Sequence, residues 1–397
     1  MIMGLSSIQK FELKDVVVVG AGVAGATTAW FLKRKGLNVS LVDKARVATG
    51  GGSSAAGAFI SPKIGKGSLL QRVTNLSFDF SWRFYKRYFG KSFCQSGVLR
   101  IPKDEKDRER FQLYLPHNYP NYQVWNREKL QQVGLNEESS VSFFFPDAGY
   151  CDAKDTLESL VDGLEFLQME ILSLKYQNGT WHLIGGEERT IRAKRVVLAL
   201  GYENSSLNIN MEYMGIKGLW GSRGDYKMDG GFEFSLHKDF SISSVRDGIA
   251  KIGATHIKSL NPCLLCNGQP LKSIEDKALK IIGDVNENVK LKLLQMYCAM
   301  RAVSRDHFPI VGDVVDIYKT YQANPNIVKG AKFEPIYHKN LYLLNGLGGR
   351  GFVFAPYLSN ILSDYILYNR EIPKAFHPDR LFLRWIRREG RDFFRKG

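Results

Sequence analysis

Residues 15–43 read DVVVVGAGVAGATTAWFLKRKGLNVSLVD, and their order decides the fold. Asp15–Gly20 is a short β-branched run ended by glycine, the pattern of a strand buried on both faces. Residues 24–35 read as a helix. It closes on Lys33, Arg34 and Lys35, cations that suit the C-terminal end of the dipole, and Gly36 supplies the C-cap. Leu37–Asp43 is the next strand, which completes a strand–helix–strand unit of about thirty residues.

Between the first strand and the helix stands Gly20-Ala-Gly22-Val-Ala-Gly25, a G-x-G-x-x-G. Gly20 allows the tight turn, Gly22 lets backbone approach a pyrophosphate, and Gly25 lets helix and strand pack closely. The first N–H groups of the helix, from Val23 and Ala24, present a positive dipole end to phosphate. Asp43, 18 positions beyond Gly25, ends the second strand, where its carboxylate suits the ribose hydroxyls of an adenosine. A glycine-rich turn without a ligand is the bland alternative. The strand before it, the helix after it and the acid favour a dinucleotide, without deciding between FAD and NAD.

The 397 residues suggest two or three domains, and 44% hydrophobic with 24% charged residues is ordinary for a globular chain. A net charge of +15 is not ordinary. It fits a polyanionic partner such as nucleic acid, an acidic membrane surface or an acidic substrate, and fits equally a proteome of basic habit. Five scattered cysteines make no disulfide framework and suit a reducing cytoplasm, where the protein is expected to reside. The first residues carry no signal-peptide pattern. The most membrane-like stretch, Val16–Leu32, holds the fingerprint glycines, so no stable membrane insertion is expected. Cys263 and Cys266 form a lone C-x-x-C with no further ligands nearby, and no metal site is expected.

Further along, Ser81–Tyr88 and Arg127–Val133 look helical, the second capped by Asn126. Lys194–Gly201, Gly248–His256 and Asn340–Gly346 read as strands. A helix opened by Pro356 follows, with Leu358, Ile361, Leu362, Tyr365 and Ile366 on one face. Gly346, Gly348, Gly349 and Gly351 crowd the turn before it. Such a turn suits the pyrimidine side of a flavin, where positive charge stabilises the anionic reduced ring. Two such turns at opposite ends of one chain favour a large, extended cofactor. The expected fold class is α/β: a Rossmann-like domain assembled from discontinuous segments, with a strand-rich α+β substrate domain inserted. Residues 15–80, 142–206 and 301–372 form the cofactor domain, 81–141 and 207–300 the substrate domain, and 373–397 a basic C-terminal extension.

These segments together resemble the glycine oxidase and D-amino acid oxidase family of FAD enzymes. Arg301-AVSRDHFPIVGD-Val314 with Asn345-GLGGRGFVFAPYLSNIL, and Thr49-GGGSSAAGAFISP-Lys63 with Phe78-DFSWRF-Tyr85, resemble one branch. That branch is the FAD-dependent C-terminal domain of the bifunctional 5-methylaminomethyl-2-thiouridine tRNA biosynthesis protein. The segment R-x-x-x-R-D-H-x-P-x-x-G discriminates it. The resemblance implies FAD held by Gly20, Gly22, Val23, Ala24 and Gly25, and by Asp43 with Lys44. It adds Ser53, Ser54, Gly57 and Ala58 from the second run and Ala199 and Gly201 after the middle strand. Gly346, Gly348, Gly349, Arg350, Gly351 and Phe352 complete the set.

The activity implied is oxidation of 5-carboxymethylaminomethyluridine at the tRNA wobble position to 5-aminomethyluridine. About fourteen residues precede the first strand, so the chain is expected to be the oxidase alone, with methylation left to a separate methyltransferase acting next. The glycine-like secondary amine needs an arginine for its carboxylate, and the resemblance points to Arg301 and Arg350 as catalytic residues. Plainer roles weigh against this: Arg305 and Asp306 can pair with each other, and Arg301 can cap a strand end. No side chain stands out as a general base; His307 beside Pro309 reads as structural, and Tyr226 is noted.

Arg380–Gly397 carries seven Lys or Arg against two acids. Arg380, Arg384, Arg387, Arg391 and Arg395 form one helical stripe, with Phe382, Trp385 and Ile386 on another face and Gly390 interrupting. The stripe suits a tRNA backbone, an anionic membrane, or simply solvent. Two other functions stay open. A small-molecule glycine, sarcosine or D-amino acid oxidase does not need the charge, and a non-catalytic flavin-containing RNA- or membrane-binding protein does not need the arginines.

Overall fold

The computed structural model describes residues 12–186, 189–203, 207–257, 269–283 and 289–396. In the strand Lys14–Val19 the valines alternate between two faces: Val16 and Val18 enter one apolar core, Val17 and Val19 another. A strand buried on both faces needs partners on both edges and cover on both sides. Lys14–Val19 pairs in parallel with Val39–Asp43 and Thr190–Leu198. Glu165–Gln168 and Tyr337–Asn345 extend the sheet in parallel on either side, and Ile310–Val315 adds an antiparallel edge. The hairpin Ile171–Gln177 and Thr180–Gly185 completes eight strands. The sheet therefore draws on the beginning, middle and end of the chain, the discontinuous α/β assembly expected.

On one face the helix Val23–Arg34 packs against Gly351–Tyr368, which also meets Leu69–Tyr88. Thr28 and Ser359 join the first two through buried hydroxyls 2.9 Å apart. The other face is covered by the helix Asp379–Arg388, which buries Leu381, Phe382, Trp385 and Ile386 beside Val17, Leu341 and Leu343. The C-terminal residues are thus a packed layer and not an appended tail. The expected single stripe breaks accordingly. Arg380 turns inward, donating to Asp306 and to the carbonyls of Phe376, His377, Phe308 and Pro309. Arg384, Arg387, Arg388, Arg391 and Arg395 stay exposed, and Gly390 does separate a second helix, Gly390–Lys396.

A second eight-stranded sheet is mostly antiparallel. Its long strands Lys217–Lys227 and Lys292–Val303 lie side by side at one edge. Val98–Arg100, Ser142–Phe145 and Gln123–Trp125 lie at the other. Helix Gln269–Gly283 buries Ala278, Ile281 and Ile282 against it. Ser142–Phe145 belongs here by its pairing with Val98–Arg100, so the expected boundary at residue 142 does not fit the strand pairing.

Two further expectations change. Cys298 is disulfide-bonded, so the cysteines are not all free thiols, while Cys94 and Cys151 are. Cys263 and Cys266 lie outside the described residues. The last long helix begins at Gly351, and Pro356 sits inside it. Proline has no N–H to return to the Phe352 carbonyl. The buried Tyr85 hydroxyl donates to that carbonyl at 3.0 Å instead, and Ser81 donates to the next one, Val353, at 2.7 Å. Replacing Tyr85 by Phe leaves a buried carbonyl without its donor, and is expected to lower unfolding free energy by ~1–3 kcal/mol in denaturant melts, with flavin content retained.

Candidate active site

The fingerprint turn sits at the C-terminal ends of the first two parallel strands. Gly20 has φ +106°, and a side chain there would meet the Ala199 carbonyl oxygen at 2.3 Å. At Gly25 a Cβ would lie 1.8 Å from the Gly20 carbonyl oxygen. No residue but glycine fits either place. Gly22 provides no side-chain cap, and the first turn of the helix contains no acid. Its positive end is therefore left to an anion. The Val23 N–H donates to Ser53 Oγ at 2.9 Å, which brings the second glycine-rich run onto the same helix start.

Asp43 is fixed by two backbone donors, Ala21 N–H at 2.6 Å and Ala45 N–H at 2.8 Å. Its carboxylate is tied to the turn it must serve. A cleft beside it is lined by Gly20, Asp43, Lys44, Met169 and Leu200. Lys44 reaches over this cleft to pair with Glu203. These groups suit an adenosine whose pyrophosphate lies on the helix start.

The other glycine-rich runs converge on the same place. Gly52 lies against the Met300 carbonyl, where a Cβ would approach to 2.9 Å, so Ser53 and Ser54 follow a turn seated on the strand Lys292–Val303. Gly57 lies against the Phe59 ring, and the Ala58 carbonyl accepts from Cys151 N–H at 2.9 Å. Gly346 and Gly348 adopt φ +72° and +58°, and Gly351 faces Val23 across the gap between the two helix starts. Phe352 is buried behind them. Asn345, absent from the expected set, links two of its glycines: its amide donates to the Gly201 carbonyl at 2.9 Å and accepts from Gly346 N–H at 2.8 Å. The glycine cradle, the acid at the second strand end and the two helix starts fit FAD.

Arg301 and Arg350 flank Gly349 but point to different surroundings. Arg301 Nη1 donates to the Thr255 carbonyl at 3.1 Å, and its guanidinium fills the space above Gly221, where any Cβ would sit 2.2 Å from it. Gly221 thus gives Arg301 the room it occupies, and nothing in the sequence marks it. Arg350 Nη1 donates to the Ser61 carbonyl at 3.1 Å. There it joins Arg100, whose Nη2 donates to Ser61 Oγ at 2.9 Å and the Pro62 carbonyl at 3.2 Å. Burial lowers the Arg350 pKa to about 10; burial and the Arg350 charge lower that of Arg100 to about 9.

The remaining expectations resolve into structure. Asp306 pairs with Arg380; burial pushes its carboxyl up, but the Arg380 bonds and charge hold it below the usual range. Arg305 pairs with Glu389. His307 takes φ +64° in the turn that its N–H closes onto Ser304. Tyr226 is buried in the core of the second sheet, 3.5 Å from Glu275, away from the glycine turns.

The chain belongs to the DAO family of FAD dependent oxidoreductases, which matches residues 15–365, and it is a flavoprotein of that class. Among curated proteins it is similar to the tRNA 5-methylaminomethyl-2-thiouridine biosynthesis bifunctional protein MnmC. With that of Marinobacter nauticus it shares 25% identity over 88% of this chain and 55% of the relative. With that of Vibrio cholerae it shares 26% over 95% of this chain and 60% of the relative. The chain thus spans little more than half the length of these relatives. Among solved structures it resembles L-proline dehydrogenase from P. horikoshii, with TM-score 0.74 and 17% identity over 94% of this chain and 98% of the other. Glycine oxidase from Geobacillus kaustophilus gives 0.73 and 15%, over 91% and 96%.

Gly25→Ala places a methyl group inside the Gly20 carbonyl. The variant is expected to purify colourless, with FAD affinity at least ~100-fold weaker (~2.7 kcal/mol) by flavin fluorescence titration.

Proposed function

We propose that this protein oxidises the secondary amine of 5-carboxymethylaminomethyluridine at the wobble position of tRNA, yielding 5-aminomethyluridine and glyoxylate. The observation that supports this best is the pairing of half-buried, carboxylate-free arginines with the joined glycine turns. Arg301 packs against Gly349, Arg350 follows it in the chain, and neither forms an ion pair among the described residues. The similarity to MnmC proteins over most of the chain supports a role in tRNA modification.

The substrate carries CH2–NH–CH2–COO⁻. Guanidinium binds carboxylate through paired donors, so the arginines orient the carboxymethyl end. Bound FAD supplies the acceptor for the hydride that leaves the methylene between nitrogen and carboxylate. The amine, bound neutral, loses its N–H proton as the C=N bond forms. Water then adds to the imine carbon, and C–N cleavage releases glyoxylate and the primary amine.

The exposed Arg384, Arg387, Arg388, Arg391 and Arg395 suit the tRNA backbone, contacts that add affinity without reading sequence. No helix among the described residues is long and apolar enough to cross a membrane. We place the protein in the cytoplasm on the strength of its tRNA substrate.

Anaerobic mixing tests the reaction. The flavin band is expected to bleach with tRNA from cells lacking this gene and to stay unchanged with glycine or sarcosine. Bleaching by a free amino acid instead would assign the small-molecule oxidase. Arg350→Lys is expected to lower kcat/KM for that tRNA by ~30-fold or more (~2 kcal/mol), because a point charge replaces a bidentate fork; unchanged kinetics would remove Arg350 from the site. Neutralising Arg384, Arg387 and Arg388 to Gln is expected to flatten the log-affinity against log-salt slope for tRNA by ~2–3. An unaltered slope would place the RNA elsewhere.

A further inference from the structure

Ser61 and Pro62 gather three cations. Arg350 donates to the Ser61 carbonyl, and Arg100 to the Ser61 hydroxyl and the Pro62 carbonyl. Lys63 follows next in the chain, half-buried, and both guanidinium charges bear on it. No Asp or Glu among the described residues pairs with any of the three, although most other buried cations of this protein do have such partners: Lys14 with Glu165, Arg223 with Asp225, Lys251 with Asp152. Arg100 also keeps a buried Nε with no acceptor. Beside it His237, its register partner across the sheet, keeps a buried Nε2 with none. Burial and the two arginines hold His237 well below its ordinary pKa, so it stands neutral. Donors and positive charge thus gather at Ser61 and Pro62, and among the described residues the acceptors they reach there are neutral. Like charges held together out of water cost stability unless an anion joins them.

From this we infer that Lys63, Arg100 and Arg350 enclose a pocket for one small carboxylate, and that Arg100 and Lys63 determine specificity for the anionic end of the substrate. The inference rests on the amine-oxidase reading only for the identity of that anion. Arg301, its Nη1 bonded to the Thr255 carbonyl and its stem beside Gly349, stays the second arginine on the same carboxylate under the proposed function, and Lys63 and Arg100 are what the cluster adds. A carboxylate here has more donors than it has lone pairs to share, so an uncharged analogue such as an amide or a methyl ester would be rejected by the unpaired charges it left behind.

The test uses the flavin-loaded protein and acetate as probe, with chloride at matched ionic strength as control. Flavin difference absorption and the thermal midpoint are the readouts. Wild type is expected to bind acetate saturably and chloride not. Lys63→Met and Arg100→Gln are each expected to weaken acetate at least tenfold, and to raise the midpoint of the acetate-free protein by on the order of 2 °C, because a repelled cation is gone. Lys63→Met carries the test alone should Arg100→Gln fail to fold. Wild type without a saturable response, or a variant with wild-type acetate affinity, overturns the pocket. Acetate binding that depends on both residues while the modified tRNA leaves the flavin oxidised would keep the pocket and dismiss the tRNA reading. Bleaching by tRNA with acetate affinity indifferent to both residues would do the opposite.

Discussion

The missing side chain at Gly25 is the constraint on which the rest depends. Its helix lies so close to the preceding strand that a single methyl group would enter the Gly20 carbonyl. That approach aims the start of the helix at the ends of the parallel strands, and there Asp43 and Ser53 are bonded to the same few backbone groups. The closing helix is bound by the same geometry. Gly351 faces Val23, and Thr28 meets Ser359 one turn or more further along, so two helix starts from opposite ends of the chain are held in register. Two positive helix ends at one cleft are costly without an anion and favourable with a pyrophosphate and a reducible ring.

The same sheet accounts for the far end of the chain. A parallel sheet must be covered on both faces, and the valines of the first strand divide evenly between them. One face is served by the helices that shape the cofactor cleft. The other would be open without Asp379–Arg388. Its Arg380 grips Asp306, inside the segment that leads from the substrate-side strand to the last strands of the first sheet. A basic segment and a structural anchor are therefore one element: the inward arginine fixes the helix, and that fixing presents the outward arginines on a rigid surface.

What could be read in the sequence was local. The fingerprint, its acid and the second glycine turn are set by spacing along the chain, and spacing determines them physically: a tight turn, a close approach, a left-handed residue. Asn126 as a cap is of the same kind, and its side chain does accept from Lys129 N–H at 3.0 Å. What could not be read depends on distant partners. Arg380 belongs by spacing to a stripe, and nothing local marks it as the member that finds Asp306. Pro356 reads as a helix start because the donor that lets it sit inside a helix, Tyr85, lies 271 positions away. Gly221 is one glycine among 38 until Arg301 is seen to lie over it. Arg100 ends a strand of three residues, too short for any pattern.

Arg100 also shows why cation number and cation placement are different quantities. The net charge of +15 suggested a surface for a polyanion, and an exposed arginine set is present. Charges in water are screened within about 8–10 Å at physiological salt, so exposed residues attract and slide but select little. A charge withdrawn from water is screened far less and bears a desolvation cost that only a matching anion relieves. On the proposed reading, the outward arginines and the Ser61 cluster act at different stages. The first raises the local concentration of any polyanion. The second discriminates among the small groups such a polyanion can insert, because each group that fails to neutralise the cluster leaves its cost in place.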